Sequence, residues 1–198
     1  MSISAVQVKE LREKSGAGIM DCKEALQETG GQVEAALEVL RKKGLSKAAR
    51  RAGRATGEGL VGSYIHAGGK IGVLIEVNCE TDFVAKTDVF QSLVKDLAMH
   101  VAAANPMHVS RDQIPEEVVE KEREIFESQA REEGKPEKVL DRIVEGRVGK
   151  YFEEICLLEQ PFVKNTDQNV QERISETIAQ LGENVVVSRF ARYHVGGG

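Results

Sequence analysis

A chain of 198 residues, 41% hydrophobic and 30% charged, has room for one moderate domain with a small appendage and can bury a real core, which excludes a disordered chain. Its formal charge of −5 argues against a general nucleic-acid coat. No apolar run approaches the ~20 residues that a membrane-crossing helix needs.

The N-terminus, MSISAVQVKELREK, lacks a basic start followed by an apolar run, so no secretory signal is expected. Residues 4–44 read as three short helices. Ser4 with Gln7 forms a capping-box pattern, and Val8 and Leu11 begin an apolar stripe. Gly16 and Gly18 in SGAGIMD break that helix by offering positive backbone dihedrals. Cys22, Ala25 and Leu26 belong to a second helix, which Gly30-Gly31 ends. Val33, Ala36, Leu37 and Leu40 supply a third, closed by Gly44 as its C-cap. Three helices in so short a span make a marginal core, as suits a docking unit more than a catalytic pocket. Residues 41–54, RKKGLSKAARRAGR, are basic without a single acid. They carry no interleaved aromatics for base stacking, so a solvated helix and linker is the expectation over a nucleic-acid patch. The domains expected are 1–54, bundle plus basic linker, and 55–198, the core.

Within the core, 57–64 and 71–79 read as strands joined by turn chemistry at Ala67-Gly68-Gly69, a β-hairpin. Phe90, Leu93, Val94, Leu97 and Val101 recur at helical spacing, and Pro106 stops that helix. Val118, Val119, Ile125 and Phe126 mark a further helix after Pro115. Gly134-Lys135-Pro136 separates it from another, bearing Val139, Leu140, Ile143, Val144 and Val148. Residues 159–163 read as a connection, Ile174, Ile178 and Leu181 as a last helix, and 185–193 as a third strand. A few antiparallel strands with helices packed on them is an α+β arrangement.

Nothing in this pattern announces catalysis. The histidines His66, His100, His108 and His194 are scattered, without a partnering Cys or Ser at an elbow. Cys22, Cys79 and Cys156 are odd in number and never form a CxxC pair, which suits reduced thiols in a cytoplasm and gives no metal site. Cys79 at the end of a buried strand reads as core filler rather than a nucleophile. No GxxxxGK[ST] or GxGxxG is present, so no nucleotide or other cofactor is expected. A binding protein that is not an enzyme is the class expected. In NCETDFVAK, Thr81 or Asp82 reads as the cap of a short helix with Phe83 packed beneath it as a staple.

Several stretches taken together resemble the bacterial elongation factor Ts family: LREKSGAGIMDCKEAL (11–26), RKKGLSKAARRAGR, NCETDFVAKTDVFQ, DLAMHVAA, EGKPEKV, EGRVGKY, LLEQPFVKN and GENVVVSRF. They span nearly the whole chain in order, and SGAGIMDCK and NCETDFVAK are the most specific. The resemblance implies an N-terminal ubiquitin-associated-like three-helix bundle and a factor that binds elongation factor Tu with GDP and promotes GDP release. It implies that Thr81, Asp82, Phe83 and Val84 form the segment that displaces Mg²⁺, with Phe83 a wedge in the partner instead of a core staple. It implies that Leu11, Arg12, Gly16, Gly18, Met20 and Asp21 contact the partner's nucleotide domain. For His100 an ordinary polar face position and a partner contact both stand. The second core half and inserted coiled coil of longer members have no expected counterpart here, so a homodimer through an open edge strand at 185–193 is expected. A ubiquitin-associated-like adaptor without exchange activity is the alternative function.

Overall fold

The computed structural model describes residues 3–197. The first helix, α1 (Ala5–Ser15), opens on the expected capping box: the Gln7 N–H donates to Ser4 Oγ at 3.2 Å and the Ser4 N–H to Gln7 Oε1 at 3.0 Å. It ends at Gly16, whose φ of 65° lets its N–H reach the Arg12 carbonyl at 2.8 Å. Gly18 differs from the expectation; at φ −62° it is the extended N-cap of α2 (Ile19–Glu28). The third helix, α3 (Val33–Ala49), runs straight through Gly44. The C-cap expected there fails because LSKAA continues helix-forming chain to Ala49, with Gly44 buried inside the helix. Leu11, Cys22, Ala25, Leu26, Ala36 and Leu40 close the bundle core.

Beyond the bundle, β1 (Glu58–Ile65) and β2 (Ile71–Cys79) form the expected hairpin, closed by the His66 N–H on the Ile71 carbonyl at 2.9 Å. A one-turn helix α4 (Asp82–Ala85) precedes α5 (Asp88–Ala104). Then come α6 (Glu116–Glu132), α7 (Glu137–Ile155), the short strands β3 (Pro161–Phe162) and β4 (Asn165–Asn169), α8 (Val170–Leu181) and β5 (Val185–His194). The main sheet is antiparallel with order β1-β2-β5, leaving β1 and β5 as edges. Alternation along β2 buries Val73, Ile75, Val77 and Cys79. The helical spacing of α5 likewise buries Phe90, Leu93, Val94, Leu97 and Val101. The α+β class expected from the sequence is the class observed. Among the described residues no helix is long and apolar enough to cross a membrane.

The chain divides into two compact units. The first holds residues up to Val61 with Glu76–Val94 and Glu172–Val187; the second holds Gly62–Ile75, Lys95–Gln171 and Ser188 onward. In the second, α6 and α7 pair as a helical hairpin around Ile114, Val144, Val148, Phe152, Ile155 and Cys156. Periodicity anticipates the two helices but not their pairing, and a long helical hairpin is present where the resemblance left no inserted helical pair. The segment expected as a plain connection also contributes a strand, since Pro161 pairs with Asn169 and Phe162 with Asn165. The polar sequence of β4 carries no hydrophobic alternation that could announce it.

Candidate partner-docking site

The exit of β2 is fastened from two sides. The Thr81 hydroxyl donates to Glu183 Oε1 at 2.7 Å, and the Thr81 N–H donates to Glu183 Oε2 at 3.0 Å. One position earlier, Glu80 Oε1 accepts from the Asn184 N–H at 2.6 Å and lies 3.4 Å from the Arg54 guanidinium. Asn184 is buried and donates its side-chain amide to the Arg54 carbonyl at 3.0 Å. Thr81 also caps α4, accepting from the Val84 N–H at 3.4 Å. That cap sets the phase of the turn: Ala85 faces inward and is buried, while Phe83 faces out and is 79% exposed. The capping half of the sequence expectation therefore holds and the staple half does not. Val84 is half-buried, and Asp82 pairs with Lys86 one turn on, at 2.6 Å. The hydrogen bond and charge of Lys86 hold the Asp82 carboxyl below its ordinary range, so it stands ionised beside the exposed ring at neutral pH.

The N-terminal residues singled out from the sequence divide by burial. Leu11 is wholly buried at the bundle centre, so it supports a face without forming one. Arg12, Gly16, Gly18 and Met20 are exposed, Met20 at 66%. Asp21 receives the Lys47 ammonium at 2.9 Å. Between α1 and the start of α2 lies a groove of about 490 Å³, lined by Val8, Lys9, Arg12, Ile19 and Lys23 among others. Sequence reasoning reached Arg12 there and missed Lys9, Ile19 and Lys23; the only signal for them was adjacency to the SGAGIMD stretch.

Helix α8 links the bundle to the Phe83 segment within the first unit. Arg41 of α3 pairs with Glu172, a Cβ on Gly16 would lie 3.3 Å from the Gln180 amide oxygen, and Glu183 follows the end of α8. Glu183 and Asn184 went unrecognised because their partners lie more than a hundred positions away in sequence.

His100 belongs to the second unit and is fully buried, which corrects the expectation of an ordinary polar face. Its Nε2 lies 3.0 Å from Gln160 Oε1, its Nδ1 accepts from the Val163 N–H at 3.2 Å, and its ring stacks on Phe162 at 5.9 Å.

The basic stretch spends much of its charge inside the first unit: besides Arg41, Lys47 and Arg54, Lys43 reaches Glu28 at 3.1 Å. The thiols are buried, and burial pushes Cys156 up to about 11 and raises Cys79, whose thiol donates to the Thr81 carbonyl at 3.1 Å. Neither Cys79 nor Cys156 is poised as a thiolate nucleophile. Among the described residues no group of His, Cys, Asp or Glu has the arrangement of a metal site.

Comparison with known proteins gives a match to the family model described as elongation factor TS over residues 7–197. The chain is 59% identical to elongation factor Ts of Geobacter sulfurreducens over 198 residues, covering 100% of this chain and 92% of that protein. It is 60% identical to elongation factor Ts of Syntrophomonas wolfei, over 99% of this chain and 92% of that one. It is 61% identical to elongation factor Ts of Moorella thermoacetica, over 99% and 97%.

Proposed function

The chain belongs to the elongation factor Ts family of translation elongation factors, and on that premise we propose that it binds elongation factor Tu–GDP in the cytoplasm and accelerates loss of GDP, so that GTP can reload. The observation that carries the reading is Phe83: a large aromatic, 79% exposed, on a turn pinned by Glu183 and Asn184. Held out on a pinned turn, the ring keeps most of its burial available to a partner that receives it.

A GTPase retains GDP through donors on the phosphates and a bridging Mg²⁺. Release therefore needs a partner that binds the empty form better than the loaded one, and the weakening is reciprocal. Each tenfold of coupling takes ~1.4 kcal/mol, which contacts unique to the empty state must supply. In this reading Phe83 wedges into the GTPase while the ionised Asp82 disturbs the ligand network of the Mg²⁺. Thr81 and Val84 set the pose. The bundle groove with Arg12, Lys9 and Lys23 offers an apolar floor with a cationic rim, suited to an acidic amphipathic face of the partner. No chemical step is assigned to the protein itself.

A homodimer forms part of the proposal. In the second unit Ile65, Leu74, Tyr193 and Val195 are half-exposed to well exposed around a groove of about 390 Å³ lined from β1, β2 and β5, and β5 is an edge strand. Light scattering on the free protein should give twice the chain mass at micromolar concentration; a monomer with full exchange activity removes the dimer from the proposal.

The deciding assay is release of a fluorescent GDP from elongation factor Tu in excess GTP. The proposal expects a rate that climbs and saturates with added protein. Binding with no acceleration would leave an adaptor instead.

A further inference from the structure

His100 occupies a corner of the second unit whose hydrogen bonds dictate a single protonation state. Gln160, 4% exposed, donates its amide to the Glu154 carbonyl at 2.6 Å and to the Ala104 carbonyl at 3.4 Å. With its NH₂ committed to those carbonyls, Gln160 presents only Oε1 to His100, so Nε2 must carry the proton and donate. On the other side, Nδ1 accepts from the Val163 N–H and must be bare. The ring is neutral by construction, and a second proton would set N–H against N–H inside an environment closed to water.

What this bond holds is local and separable. Val163 follows β3, whose Phe162 ring stacks on His100 and whose backbone pairs with β4. The preceding corner is secured independently, with the Leu157 N–H on the His108 carbonyl at 2.9 Å and the Leu158 N–H on the Val109 carbonyl at 3.1 Å. We propose that His100 is a protonation-controlled latch that holds the β3–β4 hairpin against α5 at neutral pH and releases it in acid.

Charges on the surrounding elements do not offset the added proton. On α5, Lys95 is exposed and Asp96 is bonded to Lys164 of the hairpin at 2.6 Å. On α7, Glu153 and Glu154 are exposed; beyond it, Glu159 is engaged with Arg111. Arg192 of β5 donates to the Ala102 carbonyl at 3.2 Å, a further positive charge on that side. Burial therefore dominates and drives the ring's pKa down, with the Gln160 bond opposing. The open hairpin exposes a histidine of ordinary pKa near 6.5, so it binds more protons than the closed form as pH falls below that value. Closure is complete above about pH 6.5 and weakens about tenfold per pH unit below it, down to the depressed pKa of the closed state.

The test reads amide exchange and imidazole ¹⁵N shifts of the intact protein between about pH 8 and about pH 5, spanning the range in which histidine changes charge. With intrinsic exchange chemistry corrected, opening at the Val163 amide should rise about tenfold per unit below about pH 6.5, with Leu157 and Leu158 unchanged. The neutral ring should show the proton on Nε2. In His100→Asn, whose amide oxygen can take the place of Nδ1, the Val163 slope should vanish. Val163 protection independent of pH, an equal acid response at Leu157 and Leu158, a proton on Nδ1 or a slope retained in His100→Asn would each overturn the proposal.

Discussion

Truncating Phe83 to alanine separates docking from folding in a single variant. The ring is 79% exposed, so the folded protein has only the remaining fifth of its burial to lose. A surface change of this kind shifts stability by no more than about 0.5 kcal/mol, whereas a buried aromatic cut to alanine costs about 3–5 kcal/mol. Burying a whole Phe side chain is worth about 1.5–3 kcal/mol, and four-fifths of that, still available to a partner, is about 1.2–2.4 kcal/mol. If the ring is inserted only in the nucleotide-free complex, the variant should slow GDP release from elongation factor Tu by roughly sevenfold to sixtyfold at saturating factor. Stopped-flow release of fluorescent GDP and a thermal melt on the same preparation read both quantities. A melt lowered as for a core aromatic, or an unchanged release rate at a wild-type melt, would refute the wedge.

Asp82→Ala should leave the melting temperature close to wild type, because the Lys86 pair it removes is solvent-exposed. Its defect in GDP release should grow as Mg²⁺ is raised, and a defect independent of Mg²⁺ would remove the metal from the role given to this carboxylate. Glu183→Ala strips Thr81 of two charge-assisted bonds and should cost about 1–3 kcal/mol in denaturant titration. It should also slow GDP release with Phe83 intact; normal release would show that the pinned pose is unimportant. Gly59→Ala tests the sheet register: at φ +148° a Cβ would collide with the Val77 carbonyl and stand 2.7 Å from Asn78 Cα. Strain and overpacking together should cost about 3–5 kcal/mol, so a melt near wild type would mean the strands pair otherwise.

Where local rules act alone, the sequence was a good guide. The Ser4–Gln7 box, the turn between β1 and β2 and the apolar positions of α5 all depend on neighbours within a few residues. Gly44 misled because a glycine after an apolar stripe signals a helix end, while the helix-forming LSKAA that follows carries α3 on to Ala49 with Gly44 buried in it. The strand β4 was silent because its polar residues follow no burial pattern. Phe83 was ambiguous for a sharper reason: a cap followed by an aromatic reads equally as a staple or as an exposed ring. The phase that chooses between them depends on Ala85 facing inward and on Glu183, 102 positions from Thr81, holding the cap.

That separation also orders events during synthesis. The bundle core is complete once Leu40 has been made, whereas the clamp on Thr81 and Glu80 awaits Glu183 and Asn184, more than a hundred positions later. At about 5–20 residues per second the ribosome takes roughly 5–20 s to cover the intervening stretch. Throughout that interval the nascent protein carries the TDFV sequence without the groups that fix its pose. A chain cut short before Glu183 therefore retains the bundle face but not the pinned turn, and the Phe83 turn takes its pose only once the residues that follow α8 have been made.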